Sequence, residues 1–178
     1  MKKRNELIGK LTGSLSKEAS WELSDTVLQQ PELLPVLVEI VELESHPISN
    51  KAAWVLSNLA NDKAEPVVPY FDRLVALSLD AGHQGVRREC VKTLKLFAQK
   101  RVLNESHGGK LIDMVFQILE KPVSIAEKHY CLEIIDTFLI RYPELKNEYK
   151  SMLELNYMQA QGPFKSRLRK RLQEFDKK

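Results

Sequence analysis

The chain has 178 residues, of which 43% are hydrophobic and 29% charged, and its formal net charge is +3. This composition supports a core and excludes a disordered chain. Two cysteines, Cys90 and Cys131, cannot build a disulfide framework and favour a reducing compartment, and no uncharged run approaches the roughly 18 residues of a membrane span. We therefore expect one cytoplasmic domain over residues 1–178, with no signal peptide and no membrane partner.

Four stretches carry apolar residues at the spacing of an amphipathic helix. They span residues 33–41, 69–77, 111–119 and 145–153, and proline stands near the start of the first two. A polar break with turn-forming residues follows each stretch. The breaks are His46-Pro47, Ala81-Gly82-His83-Gln84-Gly85, Lys121-Pro122 and Gln161-Gly162-Pro163. This pattern predicts four helices, each followed by a turn.

A second helix follows each break, and these second helices align with one another. Leu56 corresponds to Leu94, Leu94 to Ile135, and Ile135 to Leu172. A fifth helix of this kind surrounds Trp21, because Ala-x-Trp-x-Leu-Ser occurs at residues 19–24 and again at 52–57. A helix pair repeated at such periods cannot bury its apolar face alone, so neighbouring pairs must stack. The predicted fold is an all-α, right-handed superhelix of about four to five helix pairs.

Two segments carry a resemblance to known repeat families. Pro69 in a first helix, Asp80 at its end and Val86-Arg87 opening the second helix are similar to the pattern of a HEAT repeat. Residues 51–60, which read KAAWVLSNLA, resemble the third helix of an armadillo repeat. The resemblance implies a solenoid whose second helices line a concave surface. It further implies a non-catalytic scaffold whose partner is another protein or an extended peptide.

The candidate binding residues lie on the second helices. In armadillo proteins the Trp of this motif walls a side-chain pocket and the Asn holds the backbone of an extended peptide, roles that the resemblance gives to Trp54 and Asn58. The 100° step of a helix adds neighbours on the same polar face, and the repeat offsets add equivalent positions. The predicted set comprises Trp21, Asp25, Lys51, Trp54, Asn58, Asn61 and Lys92. Packing of each Trp between adjacent repeats is the alternative.

A second candidate surface is basic. Residues 165–178 contain seven basic and two acidic side chains, so the positive net charge of the chain comes from this tail. The predicted basic patch comprises Arg88, Lys165, Arg167, Lys170 and Arg171. One reading is a capping helix over residues 165–178, whose outer face must be polar. The alternative function is nucleic-acid binding, with a distant resemblance to HEAT-like alkylpurine DNA glycosylases in the residue types Trp21, Asp25, Trp54 and Arg88.

Catalytic and metal motifs are not found. The four histidines, His46, His83, His107 and His129, have no spacing that places two ligands on one helix face. No serine or cysteine stands beside a credible base in the sequence. We therefore predict a protein that is not an enzyme and has no metal, no cofactor and no small-molecule substrate.

Overall fold

The computed structural model describes residues 2–176, which form ten α-helices, two short 3-10 helices and no strand. The α-helices are α1 (Lys2–Thr12), α2 (Lys17–Gln29), α3 (Leu33–Glu42), α4 (Ile48–Asp62), α5 (Phe71–Asp80), α6 (Gln84–Lys100), α7 (Glu105–Glu120), α8 (Ile125–Leu139), α9 (Lys146–Gln159) and α10 (Gly162–Asp176). The 3-10 helices are Glu65–Tyr70 and Pro143–Leu145. The predicted all-α helical-repeat fold is therefore confirmed.

The predicted breaks lie between helices, with three local differences. Gly162 and Pro163 are the first two residues of α10. Gln84 and Gly85 belong to the first turn of α6, because the His83 Nδ1 atom accepts a hydrogen bond from the Gly85 amide at 3.1 Å and caps the helix. Pro69 lies in a 3-10 helix before α5, since Pro66 and Pro69 both lack the amide hydrogen of a regular α-helical turn.

Polar side chains fix where other helices begin. The Ser16 hydroxyl accepts a hydrogen bond from the Ala19 amide at the start of α2. Ser124 and Glu127 form a capping box at the start of α8, in which each side chain bonds the other residue's amide. Such a cap stabilises a helix by about 1 kcal/mol. The sequence pattern does not single out α1, where the only buried residues are Leu7 and Leu11.

Contacts divide the chain into two compact units, the first ending at Gly108 and the second starting at Gly109. A single domain over the whole chain stays a prediction. In unit 1, α4 packs on α2, α3 and α6, and α5 packs on α6. The second helices α2, α4 and α6 therefore lie side by side, with α4 in the middle. Ala52, Val55, Leu56 and Leu59 of α4 are buried at these contacts.

Unit 2 has its own buried residues. α9 packs on α10, and the second 3-10 helix packs on both α8 and α9. Cys131 and Ile135 of α8, Tyr149 and Leu153 of α9, and Leu168 of α10 are all at most 1% exposed. In the described part of the chain, 2–176, no helix combines the length and the apolar character needed to span a membrane.

Candidate partner-binding surface

Two tryptophans lie on the outer sides of adjacent helices. Ser57 of α4 bonds to α6 and Asn58 of α4 bonds to α2, and Trp54 lies between these two directions on the helical wheel. Trp54 therefore points outward between α2 and α6. Trp21 lies next to Ser20, the residue of α2 that contacts Asn58. Both indole side chains are partly exposed.

We call this surface the tryptophan face. We assign it by helical-wheel position and exposure to the outward stripes of α2, α4 and α6, and its members are Glu18, Trp21, Asp25, Trp54, Asn61, Arg88 and Lys92. Asp25 and Asn61, both predicted from the sequence, are exposed on it. The face therefore combines two partly exposed aromatic rings with charged groups, and aromatic and arginine side chains are frequent at protein interfaces.

Asn58 differs from its expected position. Its side chain is only 4% exposed, and its amide nitrogen donates to the Ser20 hydroxyl at 2.9 Å. The Ser20 hydroxyl in turn donates to the Lys17 carbonyl at 2.6 Å. The physical reason is that α2 covers this side of α4. The amide that the resemblance assigns to a peptide backbone instead joins two helices of unit 1.

Lys51 is also engaged inside the molecule. Its ammonium group donates to the Leu11 carbonyl at 3.0 Å and to the carbonyl of Gly13. Leu11 lies in the last turn of α1 and Gly13 directly follows the helix, so the cation also compensates the helix dipole. Lys51 therefore stabilises the end of α1 and does not offer a free charge to a partner.

A buried carboxylate anchors the α6 side of the tryptophan face. The side chain of Glu89 is 7% exposed, and its Oε2 atom accepts hydrogen bonds from Ser57 at 2.9 Å and from Lys92 at 3.3 Å. Its Oε1 atom accepts from Arg88 at 3.1 Å. A buried carboxylate is tolerated only with such partners. We call Ser57, Arg88, Glu89 and Lys92 the Glu89 cluster, and it carries a net charge of about +1 at neutral pH.

The Glu89 cluster is not among the residues predicted from the sequence. The available signal was the spacing of three residues between Glu89 and Lys92 on one helix, which leaves the partner on α4 undetermined. The structure shows that Ser57 is this partner, and the Trp54 carbonyl is a second acceptor for the same hydroxyl hydrogen, 3.0 Å from the Ser57 oxygen. The cluster therefore joins α6 to α4 close to the backbone of Trp54.

The predicted basic patch does not form a single set of free cations. Arg88 belongs to the Glu89 cluster in unit 1. In unit 2, the Lys165 ammonium lies 5.0 Å from the centre of the Tyr157 ring, and Arg167 contacts the His129 ring. Lys170 is exposed. Lys177 and Lys178 of the predicted capping helix lie outside the described residues.

Arg171, the remaining predicted member, is held by a second polar group. Its guanidinium is 17% exposed and bonds to Asp136, with 3.2 Å between Nε and Oδ2. The Tyr149 hydroxyl donates to Asp136 Oδ1 at 3.0 Å, and burial raises the pKa of Tyr149. We call Asp136, Tyr149 and Arg171 the Asp136 cluster. An open cavity of about 400 Å³ adjoins it, with Leu139, Ile140 and Phe175 in its walls.

Neither cysteine belongs to a reactive site. Cys90 and Cys131 are 1% and 0% exposed, as the apolar spacing predicts, and burial raises the pKa of both thiols. Among residues 2–176, no group of three or more His, Cys, Asp or Glu side chains has the arrangement to hold a metal ion.

Comparison with known proteins gives a family match. The family model described as a HEAT repeat domain matches residues 7–172, and so spans nearly the whole chain. No curated protein and no solved structure matches the chain.

Proposed function

The chain belongs to the HEAT repeat domain family, and from that premise we propose that it is a non-catalytic scaffold binding another protein or an extended peptide across the tryptophan face. We propose that the protein catalyses no reaction, binds no cofactor and acts in the cytoplasm. It concerns α2, α4 and α6 of unit 1 only.

The exposure of the two tryptophans supports this function. Trp21 and Trp54 remain partly exposed on neighbouring helices, although nine of the fifteen residues of α4 are buried. Exposed indole rings on a fixed backbone lose little conformational entropy on binding, which makes tryptophan a frequent anchor of interfaces. The Asn58–Ser20 bond and the Glu89 cluster hold that backbone in place.

The test is photo-crosslinking from the face itself. A photoreactive amino acid replaces Asp25 or Asn61, and the protein is irradiated in lysate of its native cells. We expect a discrete crosslinked partner from both positions. The same residue at Glu39, exposed on α3, serves as the matched control and should not crosslink that partner.

Tryptophan variants then decide whether the face binds. Trp54→Ala and Trp21→Ala should each weaken crosslinking at least about tenfold, as expected of interface anchors, with helical circular dichroism unchanged. Trp54→Leu keeps apolar bulk if the Ala variant unfolds. Crosslinking that persists in folded tryptophan variants would overturn the proposal.

A further inference from the structure

The tryptophan face carries opposite charges at its two edges, and these charges define the kind of partner it fits. This inference rests on the proposed function. At the α2 edge, Glu18 and Asp25 flank Trp21 on successive turns, and Glu22 lies beyond them. All three are exposed, and within residues 2–176 none of them forms an ion pair. The only basic residue of α2 is Lys17, so this edge is negative.

The α6 edge is positive. Arg88 and Lys92 share the single carboxylate of Glu89, which leaves about one unit of positive charge unneutralised at neutral pH. Their side chains are 40% and 27% exposed, so both remain accessible to a partner's carboxylate. Glu89 itself is buried and faces α4. A ligand at this edge therefore meets the cations first.

The distance between the edges follows from helix packing. α4 lies between α2 and α6 and contacts both. Neighbouring helix axes are about 8–10 Å apart, so the two edges are separated by roughly 16–20 Å. An extended chain advances about 3.3 Å per residue, so about five or six residues cross this distance. Trp54 lies near the middle of the crossing.

We propose that the partner is an extended polypeptide segment with a cationic end over α2 and an anionic end over α6, about five or six residues apart. A lysine or arginine over α2 meets Asp25 or Glu18 and the face of Trp21, where carboxylate attraction and cation–π attraction act together. An aspartate or glutamate over α6 meets Arg88 and Lys92. An apolar or aromatic side chain between them packs on Trp54.

Three synthetic peptides test this charge arrangement. The first has two lysines, the spacer Gly-Ser-Phe-Ser-Gly and two glutamates. The second has the same composition with one lysine and one glutamate at each end. The third joins the two lysines to the two glutamates through phenylalanine alone. Because Trp21 and Trp54 are the only tryptophans of the chain, their fluorescence reports binding at the face, and anisotropy of labelled peptides gives an independent measurement.

We expect the first peptide to bind about tenfold more tightly than the other two at low salt, since several exposed charge pairs add their small contributions. The preference should shrink in about 0.5 M NaCl, where screening shortens the reach of the charges. Glu18→Gln with Glu22→Gln and Asp25→Asn should remove it. The matched control, Glu6→Gln with Glu39→Gln and Glu65→Gln, changes the net charge equally at other exposed positions of unit 1 and should leave the preference intact.

Other outcomes separate this inference from the proposed function. Equal affinity for the three peptides, with binding still lost in Trp54→Leu, overturns the charge arrangement and leaves the scaffold function standing. No tryptophan response to any peptide up to millimolar concentration also overturns the inference. Crosslinking from Asp25 and Asn61 then decides the scaffold function on its own.

Discussion

The two units each contain a carboxylate bonded to a cation and a hydroxyl, but they bury opposite members of the group. In the Glu89 cluster the carboxylate is 7% exposed and the cations are 40% and 27% exposed. In the Asp136 cluster the carboxylate is 42% exposed and the guanidinium 17% exposed. Removing a partner is costly only when the charge left behind is buried. The sensitive substitution should therefore be of the cations in unit 1 and of the carboxylate in unit 2.

The largest effect is expected in unit 1. Arg88→Met together with Lys92→Met leaves the buried Glu89 carboxylate with Ser57 alone, which should cost about 3–4 kcal/mol of the free energy of unfolding. Glu89→Gln leaves two cations that water can solvate, and should cost only about 1 kcal/mol. Urea unfolding followed by tryptophan fluorescence measures both, because Trp21 and Trp54 lie in unit 1. Equal losses of unfolding free energy would contradict the expectation that removing the partners of a buried charge costs more than removing the buried charge itself.

The reverse order is expected in unit 2. Asp136→Ala leaves the Arg171 guanidinium buried without its carboxylate and should cost about 2–3 kcal/mol, whereas Arg171→Met leaves an accessible carboxylate and should cost about 1 kcal/mol. Tyr149→Phe removes one hydrogen bond to Asp136 and provides a matched control at about 1 kcal/mol. Circular dichroism is the appropriate measurement, since both tryptophans lie in unit 1. A larger loss from Arg171→Met would show that the buried member does not decide the cost.

The smallest expected effect is a dependence of the stability of unit 1 on pH. The His83 ring stacks on His46 with 3.8 Å between ring centres, and burial, with a contribution from the charge of His46, lowers the pKa of His83. Because the folded-state pKa lies below the unfolded value, about 6.5, this contribution to stability is present above pH 6.5 and is lost as pH falls through the folded pKa.

Unit 1 should therefore lose a small part of its stability as the solution is acidified below that pH, and His83→Gln should reduce this loss. Thermal unfolding followed by tryptophan fluorescence at several pH values provides the measurement. His107→Gln is the matched control in the same unit. The same acid dependence in wild type and His83→Gln would assign the effect to other groups.

The helix pairs could be predicted from the sequence because the relevant signals are local. Apolar residues such as Leu56 and Leu94 recur at helical spacing, and His46-Pro47 and Lys121-Pro122 interrupt it. Local signals also place Trp54 on the polar side of its helix, where the structure leaves it partly exposed. These observations need only the geometry of a single helix.

The site could be predicted only in part because its remaining contacts join distant segments. A helical wheel places Asn58 and Lys51 beside Trp54 but does not show that α2 covers Asn58. It also does not show that Lys51 reaches carbonyl groups 38 and 40 residues earlier in the chain. Ser57 and Glu89 are likewise 32 residues apart. Such pairings depend on which helix faces are in contact, and the spacing of apolar residues does not determine this.

The two buried cysteines provide each unit with an internal reporter of local opening. Cys90 lies in unit 1 and Cys131 in unit 2, and neither thiol is accessible in the folded chain. An alkylating reagent can modify either one only after its helix opens, so the rate of modification measures local opening. Mass spectrometry resolves the two sites in one sample. The modification rates of the two native cysteines therefore measure the opening of each unit separately, without an introduced label.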